Sequence, residues 1–141
     1  MLYHLIYSSR ATVPLSVDQL QEILVDARTG NAKRDVTGAL VYIDGIFLQV
    51  LEGERETVLK LMSLIAADSR HTDVKVFHQA AVDHRVFGTW RMAYVDGTPE
   101  QLSAWAGLRG TTTLDAILAE LTRDSTRAAA VPRGILGALS P

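Results

Sequence analysis

Three polar side chains stand in stretches that otherwise read as buried. Tyr7 lies late in "LYHLIYSS", Asn31 follows Gly30, and Gln49 sits in "GIFLQVLEG" among Phe47, Leu48, Val50 and Leu51. A primary amide carries two donors and an acceptor with two lone pairs. Burying it without partners costs about 1–3 kcal/mol. A phenol can give up an electron and let its proton follow. An amide has a donor end and an acceptor end, so its rearrangement changes what a neighbouring group receives. Taken singly, each has a plain structural reading: Tyr7 as a half-buried strand residue, Gln49 bonded to water or backbone, Asn31 as a turn residue. Trp90 and Met92 are equally well explained by core packing.

Other chemistries find less support. His71, His78 and His84, with Asp73 and Asp83, match none of the usual metal-ligand spacings. They read as surface or satisfied residues. The chain has no cysteine, which excludes disulfides, thiolate metal sites and a cysteine nucleophile. It contains no G-x-x-x-x-G-K phosphate loop.

The elements that position these residues follow from periodicity. Residues 2–9 read as a strand. Ser16 to Gln19 has capping-box spacing, and Val17, Leu20, Ile23, Leu24 and Ala27 mark a helix with Gly30 as its expected C-cap. Asp44-Gly45 between two apolar runs predicts a hairpin over 35–53 with a type I′ turn. The charged run at 52–56 reads as a solvated helix start, and Val58, Leu61, Met62 and Ile65 carry that second helix. Residues 73–82 and 89–95 read as strands, with Trp90 and Met92 on one face of the latter.

The order is β-α-β-β-α-β-β, an α+β, ferredoxin-like sheet with an extra strand. Leu48 and Val50 point opposite to Phe47, Gln49 and Leu51, so both faces of the sheet need cover. Two helices are expected on one face. The C-terminal helices, opened by the capping box Thr98 to Gln101 and continued by Leu114, Ile117, Leu118 and Leu121, are expected to cap the other. The expected division is a domain over 1–97, capping helices over 98–123 and a tail over 124–141 without clear period.

With 141 residues, 48% of them apolar, the chain suits one globular domain. A net charge of −2 without a basic block gives no reason to expect nucleic acid or an anionic membrane as partner. No run approaches 18 apolar residues and no signal segment opens the chain, so a cytoplasmic protein is expected.

The blocks "LIYSSR" (5–10), "GNAKRDVTGAL" (30–40), "GIFLQVLEGE" (45–54), "DSRHTDVKV" (68–76) and "FGTWRMAYV" (87–95) resemble, in register, the BLUF family of flavin-binding blue-light sensors. The two helices after residue 97 resemble those of its short, single-domain members. The resemblance implies FAD, with FMN as alternative, lying between the two helices on one sheet face. Gln49 would bridge the ring's N5/O4 edge and Tyr7, Asn31 would hold the pyrimidine edge, and Ile23 would pack on the ring plane. Asp68, Arg70 and His71 would lie near the ribityl and phosphate end. Trp90 or Met92 would relay the signal through the fifth strand to the C-terminal helices and on to a partner protein, with Trp105 and the tail as the contact region. A homo-oligomer is expected. The chain departs from the family pattern at Gly30, where a polar residue is common, and at Ala27, where a small hydroxyl residue is common. Dark recovery and signal coupling are where those departures are expected to tell.

Two other classes compete. One is a light-insensitive flavin redox sensor using the same pocket. The other is a small acylphosphatase-like hydrolase with Asn31 and Arg34 placing a water and an anion, which fold analogy supports only weakly. The expectation is a non-enzymatic sensor. A flavin–cysteine adduct is excluded by the absence of cysteine.

Overall fold

The computed structural model describes residues 1–110 and 113–139. Its elements are β1 (Leu2–Ala11), α1 (Val17–Arg34), β2 (Thr37–Ile43), β3 (Ile46–Glu54), α2 (Arg55–Ala66), β4 (His71–Ala81), β5 (Ala93–Asp96), α3 (Pro99–Trp105), α4 (Leu114–Arg123) and α5 (Ser125–Leu139). The sheet order is β4-β1-β3-β2-β5. Neighbours are antiparallel except β2 and β5. The first four strands form the expected ferredoxin-like sheet, and β5 extends its edge. Asp44 and Gly45 both take positive φ (46° and 83°) between Ile43 and Ile46, as a type I′ turn requires. Ser16 and Thr98 close the expected capping boxes of α1 and α3.

Alternation along the strands divides the molecule into two cores. Leu5, Tyr7, Leu40, Phe47 and Leu51 face Leu24 of α1 and Val58, Leu61 and Met62 of α2. Ile6, Ala39, Val41, Leu48 and Val50 face Leu102, Ile117, Leu121, Val131 and Ile135 of the C-terminal helices. Each fully buried aliphatic side chain contributes about 1.5–3 kcal/mol, so these helices are part of the fold rather than an appendage.

Four local expectations are corrected. Gly30 does not end α1: the helix runs to Arg34 and stops at Asp35, which adopts a left-handed conformation (φ 54°, ψ 42°). A helix-interior glycine costs only about 1 kcal/mol. Here the last turn is fixed by the N–H groups of Asp35 and Val36, both donating to the Asn31 carbonyl. Asn31 therefore lies inside α1.

The fifth strand spans Ala93–Asp96 rather than 89–95. Trp90 N–H donates to the Phe87 carbonyl and the Trp90 carbonyl accepts from Gly38 N–H, so a turn replaces the ladder there. Trp90 is 41% exposed while Met92 is buried, and both precede the strand.

The segment expected as a tail is a third capping helix, α5, burying Ala128, Val131, Pro132 and Ile135. Residues 140 and 141 of that segment lie outside the described residues. Trp105 is half-buried and packs against the outer core, over Gly134, where a Cβ would meet its ring at 2.4 Å.

Finally, Glu52 is not solvated. It lies in β3 at 1% exposure, and α2 begins only at Arg55.

Candidate functional site

α1 stands off the sheet. Of its 18 residues only Leu24 and Asn31 are buried. The gap is a cavity of about 190 Å³ between α1, α2 and the inner sheet face. Tyr7, Ile23, Asn31, Gln49, Asp68, Arg70 and His71 all line it. Tyr7 and Gln49 are directly opposed on β1 and β3, which puts them side by side on the same face.

At the floor, Tyr7 Oη–H donates to Gln49 Oε1. Gln49 Nε2–H donates to Met92 Sδ at 3.4 Å. A thioether is a weak acceptor and the amide nitrogen carries two hydrogens, so the buried Gln49 keeps donor capacity beside the cavity. Burial, reinforced by the charge of Asp68, holds the Tyr7 phenol far above the ordinary tyrosine range. Tyr7 is thus a neutral donor.

The rim is charged and fixed. Hydrogen bonding from Arg70 holds Asp68 below the usual carboxylate range, and Arg70 also reaches Asp26 at 3.5 Å. His71 places Nε2 on the Ile65 carbonyl and Nδ1 2.7 Å from Ser9 Oγ. A carbonyl only accepts, so Nε2 carries the proton and Nδ1 accepts from Ser9.

A loop over 85–92 closes the site from the other side. Asn31 Nδ2–H donates to the Arg91 carbonyl at 2.7 Å and Arg28 Nε–H to the Met92 carbonyl at 3.0 Å. Its near end is held by Glu52, whose carboxylate accepts from Val86 N–H (2.6 Å), Phe87 N–H (2.9 Å) and Thr37 Oγ1 (3.1 Å). Burial pushes the Glu52 carboxyl up, and the N–H groups of Phe87 and Val86 pull against it. β3 thus reaches this loop twice, through Gln49 on one face and Glu52 on the other.

The structure brings together seven of the nine residues singled out from sequence at the cavity. Met92 touches Gln49 from the closing loop, and Trp90 lies apart from both. Sequence reasoning missed Arg28, Asp26 and Glu52. Arg28 and Asp26 carry no signal of their own, but Glu52 continues the alternation of Leu48 and Val50 toward the outer face. The cavity walls Leu61 and Ile65 were legible only as a helical core stripe.

An apolar slot with amide, phenol and charged groups at opposite ends fits a flat, apolar-faced ring with hydrogen-bonding edges and a polar tail. The profile of the BLUF family, described as sensors of blue-light using FAD, matches residues 2–93. The chain is 37% identical over 106 residues to photoactivated adenylate cyclase subunit beta of Euglena gracilis, covering 74% of this chain and 12% of that protein. The dark-state structure of BlrB, a BLUF protein, superposes with a TM-score of 0.76 at 28% identity, over 97% of this chain and 96% of that one. Klebsiella pneumoniae BlrP1, solved with FMN and cyclic diGMP, gives 0.64 at 29% identity over 87% of this chain and 30% of that one. The chain spans only about an eighth of the curated relative.

Proposed function

The chain belongs to the BLUF family of blue-light sensors, and we propose that its switch is the Tyr7–Gln49 pair, worked by a flavin held between α1 and α2. A bound flavin supplies blue-light absorption and a ring that accepts an electron. The protein supplies the rest. Tyr7, kept neutral by burial, would give the ring an electron and its Oη proton and take both back once Gln49 has rearranged. Gln49, bonded at Oε1 to Tyr7 and at Nε2 to Met92, exchanges its donor and acceptor ends. The rearranged amide would then offer a bound ring's carbonyl edge a different group, which would shift absorption slightly to the red. Ile23 would pack on the ring, Asn31 would hold its pyrimidine edge, and Asp68, Arg70 and His71, which line the same cavity, would sit at the ribityl end.

We assign FAD, the cofactor in the family's description, with FMN, present in the BlrP1 structure, as the alternative. The rearranged amide alters the Met92 contact, and the path runs from Met92 through β5 to α3. Met92 carries it better than Trp90, because only Met92 touches Gln49. The receiver is a partner protein or a second copy of this chain. The matched region over 2–93 is the sensor, and we propose no cyclase activity for that region. The buried Tyr7–Gln49 pair argues against the redox-sensor reading, which needs neither. The hydrolase reading rests on fold analogy alone, without a phosphate loop beside Asn31 and Arg34.

The Tyr7–Gln49 hydrogen bond beside the cavity carries this reading. Tyr7→Phe loaded with flavin is expected to keep the flavin and lose the reversible red shift. A shift of unchanged size in that variant would overturn it.

A further inference from the structure

The cations around the cavity are paired, with one exception. Arg28 donates to the Met92 carbonyl, Arg70 pairs with Asp68 and Asp26, and Arg91 pairs with Asp35. Arg34 lines the same cavity, and its side chain has no hydrogen bond or ion pair among the described residues. The nearest carboxylates along α1 and its cap are taken: Asp26 by Arg70, Asp35 by Arg85 and Arg91. Arg34 also lies where a side chain at position 30 would project. A Cβ on Gly30 would fall 2.5 Å from Arg34 Nη1. The missing Cβ lets the guanidinium of the exposed Arg34 lie back along α1 over Gly30, at the rim of the cavity. A simple helix-dipole role in the last turn needs neither the glycine nor the cavity.

We propose that Arg34 is a binding residue for the flavin ring, donating to the carbonyl groups of the pyrimidine edge, with Gly30 making room for it. The proposal rests on the reading of the cavity as a flavin site. A guanidinium has only donors, and the pyrimidine edge presents carbonyl oxygens. A fixed positive charge there favours both binding and acceptance of an electron by the ring.

The test uses two probes, lumiflavin (the ring without ribityl or phosphate) and FMN, titrated into flavin-free wild type, Arg34→Gln and Gly30→Ala. Arg34→Gln is expected to weaken both by a similar factor, roughly fivefold to tenfold for one partly exposed charged hydrogen bond. Gly30→Ala pushes the flexible end of Arg34 aside and is expected to weaken both likewise. Its thermal midpoint should hold or rise, because alanine is the better helix former. Unchanged lumiflavin affinity in Arg34→Gln overturns the proposal, as does a loss confined to FMN, which would place Arg34 on the phosphate. A wild type that binds neither probe removes the flavin reading itself; a wild type that binds, with variants unaffected, removes only Arg34.

Discussion

Replacing Glu52 with alanine tests whether β3 controls the loop that ends at Met92. The carboxylate accepts from two backbone N–H groups at 2.6 and 2.9 Å and from the Thr37 hydroxyl at 3.1 Å. Phe87 is fully buried, so its N–H loses its acceptor without reaching water, while Val86 is only half-buried. An orphaned buried donor costs about 1–3 kcal/mol. One full cost, one partial cost and the void left by the side chain together give about 3 kcal/mol. The buried Thr37 O–H also loses its acceptor, while its oxygen still accepts from Arg85 at 2.9 Å, so about 3 kcal/mol is the lower end of the expected loss. Glu52→Gln keeps one acceptor oxygen and is expected to lose about 1 kcal/mol.

Urea unfolding at pH 7 gives the global value, and native-state hydrogen exchange gives the local one. Protection of the Val86 and Phe87 amides should fall roughly a hundredfold in Glu52→Ala, at about 1.4 kcal/mol per tenfold. The β1 and β3 amides should follow only the global loss. A loss below about 1 kcal/mol with protection unchanged at 86 and 87, or Gln costing more than Ala, would refute the clamp.

Three further outcomes follow from the same contacts. Met92→Leu removes the sulfur that accepts from Gln49 and should change the dark-recovery rate several-fold, while Trp90→Phe, at a 41% exposed position, should leave it nearly unchanged; the reverse order would return the relay to Trp90. The raised Tyr7 value means that its neutral form stabilises the fold fully below the ordinary tyrosine value near 10, a contribution that fades as pH rises through the folded value; the light response should therefore stay flat from about pH 7 to 10, and a midpoint near 9 would contradict this. Gly134→Ala places a Cβ against Trp105 and should cost about 1–3 kcal/mol by overpacking, read by thermal unfolding; no loss would mean α5 is loosely held.

What the sequence disclosed was whatever local chemistry determines. The Ser16 and Thr98 caps and the Asp44-Gly45 turn depend on side chains bonding to near neighbours, and all three hold. The alternation of Phe47, Gln49 and Leu51 against Leu48 and Val50 predicted two cores, because a strand cannot hide both sets otherwise. The failures share a cause, in that distant contacts outweigh local preference. Gly30 stays helical because the turn beyond it is fixed at Asn31. β5 starts late because the Trp90 carbonyl bonds to Gly38 across the fold. α5 has no visible period because six of its 15 residues are Ala or Gly, among them Gly134, which admits the Trp105 ring. Glu52 read as solvated because its partners at 86 and 87 are remote in the chain. The site was legible as a set of residues through the family resemblance; the pairing of Gln49 with Met92 and the hold of Arg28 on Met92 needed the fold.

The central claim is that light absorbed in this cavity rearranges hydrogen bonds without forming a covalent bond. The direct measurement is the visible absorption spectrum of the flavin-loaded protein in darkness, under blue light, and again in darkness. A flavin spectrum that moves slightly red under light and returns unaided is the predicted result. A bound flavin whose spectrum does not shift, or that bleaches without returning, would contradict it.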